Sequence, residues 1–337
     1  MVKIDGFTYY TMDKIKQKDA LFNAIISART GGKTFSAKLN MIENGLKGHR
    51  FVYTRRRDKE IEAKKMLGFF DKIQAKGYYT DCEFKWDKGY FFAGDKMIGY
   101  TTAVSTSVND RSVDFVNVSD IYYEEFVLKE DAQHRYLEDE VFKFLELYTT
   151  IARNDEVKVW FIGNKIREFN PYFLYFDIIP PKQGIKVYND FAVEVWKNEH
   201  FVEERKKTRF GKLIDGTAYA DYAIENEAYE DGSSFIQKLP TRSIPFFRIE
   251  HMGSLYMVWR RYDGCLHIGG DVNVKVGYNV TTDENKVSPQ LISTKNFRNT
   301  PFGKNYVLNL RKNQIYYTTS KVEEVGRFFN KKMYFGR

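Results

Sequence analysis

The stretch FNAIISARTGGKTFSAKL, residues 22–39, decides the fold. Phe22–Ile26 is a short, continuous apolar run of strand type. A glycine-containing turn, Ser27-Ala28-Arg29-Thr30-Gly31-Gly32, follows it, and Lys33-Thr34 open an amphipathic helical stretch that reaches Leu46. Strand, turn and helix in this order are the context that the G-x-x-x-x-G-K-[ST] pattern requires. Backbone N–H groups of such a turn converge into an anion nest, and the helix N-terminus adds partial positive charge. Lys33 is then placed to reach β- and γ-phosphates, and the Thr34 hydroxyl to reach Mg2+. The turn departs from the pattern at its first position, where Ser27 replaces glycine.

Working outward, β-rich runs alternate with helical stretches. Arg50–Thr54, Phe115–Tyr123 and Val157–Ile162 read as strands, while Lys59–Lys76 and Leu137–Ala152 read as helices. Tyr90–Tyr100 reads as a hairpin turning at Gly94-Asp95. This alternation predicts an open, mostly parallel α/β sheet. Residues 198–229 are highly charged and read as a helical connector. After Gln237 short strands follow at Ile244–Ile249, Leu255–Arg260, Cys265–Gly269 and Gln290–Ser293, with a final helix around Lys321–Lys331. The expected division is 1–197, a connector over 198–238, and a second domain over 239–337.

Composition narrows the function classes. The 337 residues carry 53 Lys and Arg against 45 Asp and Glu, a net +8. Residues 1–200 hold 31 basic and 30 acidic side chains and residues 201–337 hold 22 and 15, so the excess sits in the second part. Between Lys286 and Arg337, 11 basic residues face only Glu323 and Glu324. A concentrated basic segment favours polyanions through counterion release, which makes nucleic acid the leading partner; a solvated basic surface is the plainer alternative. No run of 18 apolar residues suggests a membrane span. Cys82 and Cys265 lie far apart in no metal-binding pattern, which fits a reducing cytosol.

A phosphate-binding loop needs acids on a neighbouring strand. Glu124-Glu125, at the end of FVNVSDIYY, supply them: Glu124 for the Mg2+ shell and Glu125 as general base toward water. Taken alone, two glutamates at a strand end are also an ordinary solvated terminus. Asn164, ending VKVWFIGN, is placed to sense a γ-phosphate or orient water; by itself Asn164-Lys165 is equally an ordinary turn. Arg153 follows the preceding helix, where it reads either as an arginine finger for a neighbouring subunit or as a helix C-terminal cation.

Beyond the loop, several segments resemble the phi29-type viral DNA-packaging ATPases, small terminase-like genome packaging motors. The resemblance lies in SARTGGKT with Arg29, in FVYTRRR (residues 51–57), and in Glu124-Glu125-Phe126. It extends to Asn170-Pro171-Tyr172-Phe173-Leu174 and, most specifically, to ERKKTRFGKLIDG (Glu204–Gly216) with Thr217 and Tyr219. It implies an additional-strand conserved-glutamate ATPase domain, a helical linker and a vestigial RNase H-like domain without nuclease activity. In that domain Arg248 stands on the first strand, with Glu250 and Asp271 as the remaining acids. ATP and Mg2+ are the implied cofactors, bound by Ser27 through Thr34 with Glu124 at the family's aspartate position. Glu125 matches the catalytic glutamate and Arg153 the trans-acting finger, and Arg111 stands where the family has a lysine proposed to act in trans as well. Asp58 replaces a basic residue thought to face DNA, so Arg55, Arg56, Arg57 and Lys59 are the expected DNA contacts. The implied partners are double-stranded DNA, further copies in a ring of about five, the prohead portal and a structural packaging RNA, with no membrane. The implied location is the cytoplasm of an infected bacterium, attached transiently to the prohead and absent from the virion. Another P-loop helicase or translocase, a nuclease-active terminase and a nucleotide-locked scaffold are the alternatives.

Overall fold

The computed structural model describes residues 2–335 apart from 5–6, 108–112, 129–135, 138–139, 165–169, 177, 198, 218–219, 221–234 and 313. The expected trans-acting Arg111, and Tyr219 of the linker segment, lie outside the described residues. The chain forms two compact units. One comprises 1–129, 136–166 and 179–229, and the other 130–135, 167–178 and 230–337. The helical stretch Glu199–Ile214 therefore groups with the first unit, and the short helix Pro171–Tyr175 groups with the second.

The first unit begins with a small hairpin, β1 (Val2–Ile4) and β2 (Phe7–Tyr9). Its main sheet uses β3 (Phe22–Ser27), β4 (Arg50–Arg55), β5 (Phe84–Asp87), β6 (Tyr90–Ala93), β7 (Lys96–Ala103), β8 (Val118–Glu124), β9 (Lys158–Asn164), β10 (Gly184–Tyr188) and β11 (Phe191–Trp196). These nine stand in the order β10-β11-β3-β9-β8-β4-β7-β6-β5. The six from β11 to β7 run parallel, and antiparallel hairpin strands close both edges. All six residues of β3 are buried, as a central strand covered on both faces requires. Its one amide side chain, Asn23, donates to the Ala20 carbonyl at 2.8 Å, while its Oδ1 has no hydrogen-bond partner among the described residues.

Helix α1 (Lys33–Lys47) starts at Gly32, which takes φ +96°, and stops at Gly48, which takes φ +97° and returns its N–H to the last turn. Helix α2 (Glu140–Ala152) precedes β9, and α3 (Glu199–Lys207) follows β11. The expected helix Lys59–Lys76 is instead three short turns, Asp58–Glu60, Ala63–Met66 and Asp71–Gln74. The chain leaves helical geometry at Leu67 and reverses through Gly68 at φ +68°. The break lets Phe69 and Phe70 both enter the aromatic core around Phe51 and Phe91, where an unbroken helix would turn them about 100° apart. The strand expected from Phe115 begins at Val118.

The second unit holds six strands, β12 (Ile244–His251), β13 (Ser254–Arg260), β14 (Leu266–Gly270), β15 (Asn279–Thr281), β16 (Ile292–Ser293) and β17 (Ile315–Tyr317), in the order β16-β15-β12-β13-β14-β17. Strands β12, β13 and β14 form an antiparallel meander, while β15, β16 and β17 add in parallel. Helices α4 (Pro301–Arg311) and α5 (Ser320–Phe335) join Phe247, Val258, Ile268, Tyr306 and Phe329 in one core. Thr300 caps α4 by accepting from the Gly303 amide, and Pro301 sits where a helix needs no N–H.

Candidate active site

The parallel strands β3, β9 and β8 end side by side: Ser27 is in register with Asn164, and Glu124 with Ile162. One strand, β9, thus stands between the loop strand and the acidic strand. Lys33 is 6% exposed. Its ammonium faces the Ser27 carbonyl at 3.1 Å, Ser27 Oγ at 2.8 Å, the Ala28 carbonyl at 2.7 Å and Asn164 Oδ1 at 3.2 Å. Burial pulls its pKa down to about 7, with Arg29 adding to the fall and Glu124 opposing it. The serine at the first loop position is no obstacle: its φ is not in the left-handed region, and its hydroxyl gives the lysine an extra oxygen. The left-handed residues are Thr30, at φ +63°, and Gly32. Gly31 and Gly32 are needed for space, since a Cβ would lie 2.9 Å from Trp196 Cζ3 at the first and 3.0 Å from Tyr9 Cβ at the second.

Across from the loop, Thr34 Oγ1 donates to Glu124 Oε1. The other Glu124 oxygen accepts from Tyr53 at 2.6 Å. Glu125 follows in the left-handed region at φ +58°, its amide bonded to the Ile162 carbonyl at 2.8 Å. Its carboxylate is half exposed and meets Arg55 Nη2 at 2.6 Å. The same guanidinium lies 3.7 Å from Glu124 and 3.0 Å from Glu60. Burial opposes the Arg55 charge, but the surrounding acids outweigh it and hold its pKa above the ordinary arginine value. One guanidinium thus lies beside both glutamates, and one of the two carboxylates is open to water.

One expected DNA contact, Arg56, is corrected here. Arg55 belongs to the acid cluster. Arg56 is 1% exposed and cannot touch a DNA phosphate in this arrangement. Its guanidinium bonds Glu140 at 2.7 Å and donates to the Glu125 and Phe126 carbonyls at 3.0 and 2.8 Å. Strand β4 ends at Arg55, and the chain bends at Arg56, so the basic run splits between the site and the core. Arg57 and Lys59, beyond the strand, are exposed. Arg153 lies just past α2 at φ +50°, exposed and paired with Asp114 at 2.7 Å rather than with the loop or the acids. Tyr53 and Glu60 were missed in the sequence. The alternation of FVYTRRR, which puts residues 53 and 55 on one face, was the available signal for Tyr53.

The family model of the podovirus DNA encapsidation protein (Gp16) matches residues 4–333. The chain belongs to that family. The chain is 31% identical over 302 residues to the DNA packaging protein of Bacillus phage phi29, covering 88% of this chain and 89% of the relative. Among solved structures it resembles the bacteriophage phi29 genome packaging motor assembly, with 26% identity, a TM-score of 0.61 and coverage of 96% and 99% of the two chains. It also resembles the N-terminal domain of the phi29 DNA packaging ATPase, with 29% identity, a TM-score of 0.51 and coverage of 56% and 95%. The chain is thus a viral genome packaging motor ATPase.

Proposed function

We propose that this chain hydrolyses ATP to drive double-stranded DNA into a prohead, as one subunit of a ring. The observation that carries the reading is the meeting of Lys33, Thr34, Glu124 and Asn164 where three parallel strands end, with Glu125 next in line. The order of β3, β9 and β8 supports an additional-strand, conserved-glutamate ATPase.

Mg2+ fits the donor set, since Thr34 and Glu124 offer hard oxygens already in contact beside an anion nest. When bound there, Mg2+ neutralises phosphate charge. The loop amides and Lys33 hold the β- and γ-phosphates. Glu125 accepts a proton from a water whose oxygen attacks the γ-phosphorus. The bond to the β–γ bridging oxygen breaks, and ADP keeps that oxygen. Asn164, beside Lys33, orients the γ-phosphate or the water. Arg153, and Arg111 as the second candidate, reach the site of a neighbouring subunit; Arg153 must first leave Asp114.

The second unit is read as RNase H-like and without nuclease activity. Both acids that such an activity would need are engaged by cations, Asp271 by Arg248 at 2.6 Å and Glu250 by Lys286 at 2.8 Å. Its basic chain contacts nucleic acid, either the DNA or a structural packaging RNA, and the ring, of about five copies, docks on the prohead portal. The division into a 1–197 ATPase domain, a 198–238 linker and a 239–337 domain belongs to this reading. So do DNA contacts by Arg57 and Lys59, and action in the host cytoplasm with transient attachment to the prohead.

The test is packaging and ATP turnover with purified proheads and DNA. Wild-type protein is expected to protect DNA from nuclease while consuming ATP, and Lys33→Ala to do neither. Packaging by Lys33→Ala at the wild-type rate would refute the reading.

A further inference from the structure

Strand β11 ends at Trp196, in register with Ser27 of the loop strand, and α3 leaves it within three residues. Two turns along α3, Arg205 points back to the loop, where its Nη1 donates to Thr30 Oγ1. The Thr30 hydroxyl in turn donates to the Arg29 carbonyl at 2.6 Å. Among the described residues Arg205 has no carboxylate partner; its other contact is the Phe201 ring, 6.0 Å away. Phe201 packs edge-on against Tyr9 at 5.7 Å and lies 6.3 Å from Trp196. Tyr9 and Trp196 are the same side chains that fill the space behind Gly32 and Gly31. The loop and α3 therefore share one aromatic bracket, with a guanidinium at its open end.

A hydroxyl is a weak partner for a guanidinium, while a phosphate oxygen gives a charge-assisted bond about twice as strong. Thr30 sits three residues before Lys33, in the turn between β3 and α1. A further cation supplied by a separate helix, without an acid to neutralise it, suits a ligand that brings negative charge. We propose that Arg205 is a nucleotide-binding residue acting within its own subunit: it exchanges the Thr30 hydroxyl for a phosphate oxygen of ATP and so ties α3 to the filled loop. This rests on the ATP site proposed above. The segment that continues into Arg209–Ile214 then senses whether the loop is occupied.

The experiment titrates full-length protein with a fluorescent N-methylanthraniloyl ATP in the presence of Mg2+, and follows amide hydrogen exchange over residues 199–207. Arg205→Ala is expected to weaken binding about tenfold, with Arg205→Lys recovering part of the loss. Lys207→Ala removes the same charge from the same helix and is expected to stay within about twofold. ATP should slow exchange in α3 of the wild type and leave α3 of Arg205→Ala unchanged, a response that a mere structural latch would not give. Wild-type affinity in Arg205→Ala, equal losses in Arg205→Ala and Lys207→Ala, or ATP protection of α3 persisting without Arg205 would each overturn the proposal. If wild type and Lys33→Ala bind the analogue equally, the ATP site itself is refuted, and this inference with it.

Discussion

The Arg55 guanidinium bonds the Glu125 carboxylate at 2.6 Å while standing 3.7 Å from Glu124, so one cation spans both acids of the candidate site. Without it the two carboxylates repel each other, and the one in contact with Thr34 keeps its partners while the half-exposed one drifts. Arg55→Ala is therefore expected to lower the ATPase kcat about 10- to 100-fold while changing nucleotide affinity less than about threefold. Steady-state kinetics and equilibrium nucleotide binding check both effects.

Arg56, one residue later, is expected to behave as a core residue. Its removal takes the cation from the wholly buried Glu140, which keeps the Tyr123 hydroxyl and the Leu137 amide, and releases the carbonyls of Glu125 and Phe126. Arg56→Ala should destabilise the protein by about 3–5 kcal/mol in urea denaturation, because a buried ion pair loses one partner. Arg57→Ala and Lys59→Ala should leave stability within about 0.5 kcal/mol. Each should also flatten the dependence of DNA binding on log salt by about one unit.

Lys33 sets a pH dependence. In the nucleotide-free protein burial lowers its pKa to about 7, so above that pH most molecules carry a neutral amine. Phosphate binding favours the ammonium, which must then take up a proton. Affinity for ATP should be constant below about pH 6.5 and fall, at most about tenfold per unit, above pH 7. Isothermal titration in buffers of different ionisation enthalpy would register the proton uptake. In Lys33→Arg, which stays charged, the dependence should vanish.

Gly32 is expected to tolerate nothing larger. Its φ of +96° strains any other residue, and an added Cβ meets Tyr9 Cβ at 3.0 Å and the Tyr10 amide nitrogen at 3.3 Å. Gly32→Ala should cost about 1–3 kcal/mol of stability and weaken ATP binding about tenfold or more. Thermal denaturation with and without ATP reads both.

Much of this was legible in the sequence. The loop strand was visible because a central parallel strand is apolar throughout, and its glycine pair and Lys33-Thr34 follow in fixed order. Glu124-Glu125 were visible because strand ends carry the polar residues of such a sheet. Strands β10 and β11 went unread, although Asn189-Asp190 between two β-rich runs is a hairpin signal and Asn189 takes φ +51°. In the run Arg55-Arg56-Arg57 charge alone does not show that the strand ends at Arg55, beside the acids, and that the bend after it carries Arg56 into the core. The helix expected over residues 59–76 failed at Gly68, where core packing of Phe69 and Phe70 overrides helical spacing. The contact between Arg205 and Thr30 joins residues 175 positions apart, and no local pattern encodes it.

The central claim is that Glu125 consumes the nucleotide that Lys33 holds. Single-turnover hydrolysis of ATP by the assembled protein, comparing wild type with Glu125→Gln, tests it most directly. The expected result is unchanged ATP binding with the hydrolysis step slowed at least about 100-fold. Hydrolysis by Glu125→Gln at the wild-type rate would contradict the account.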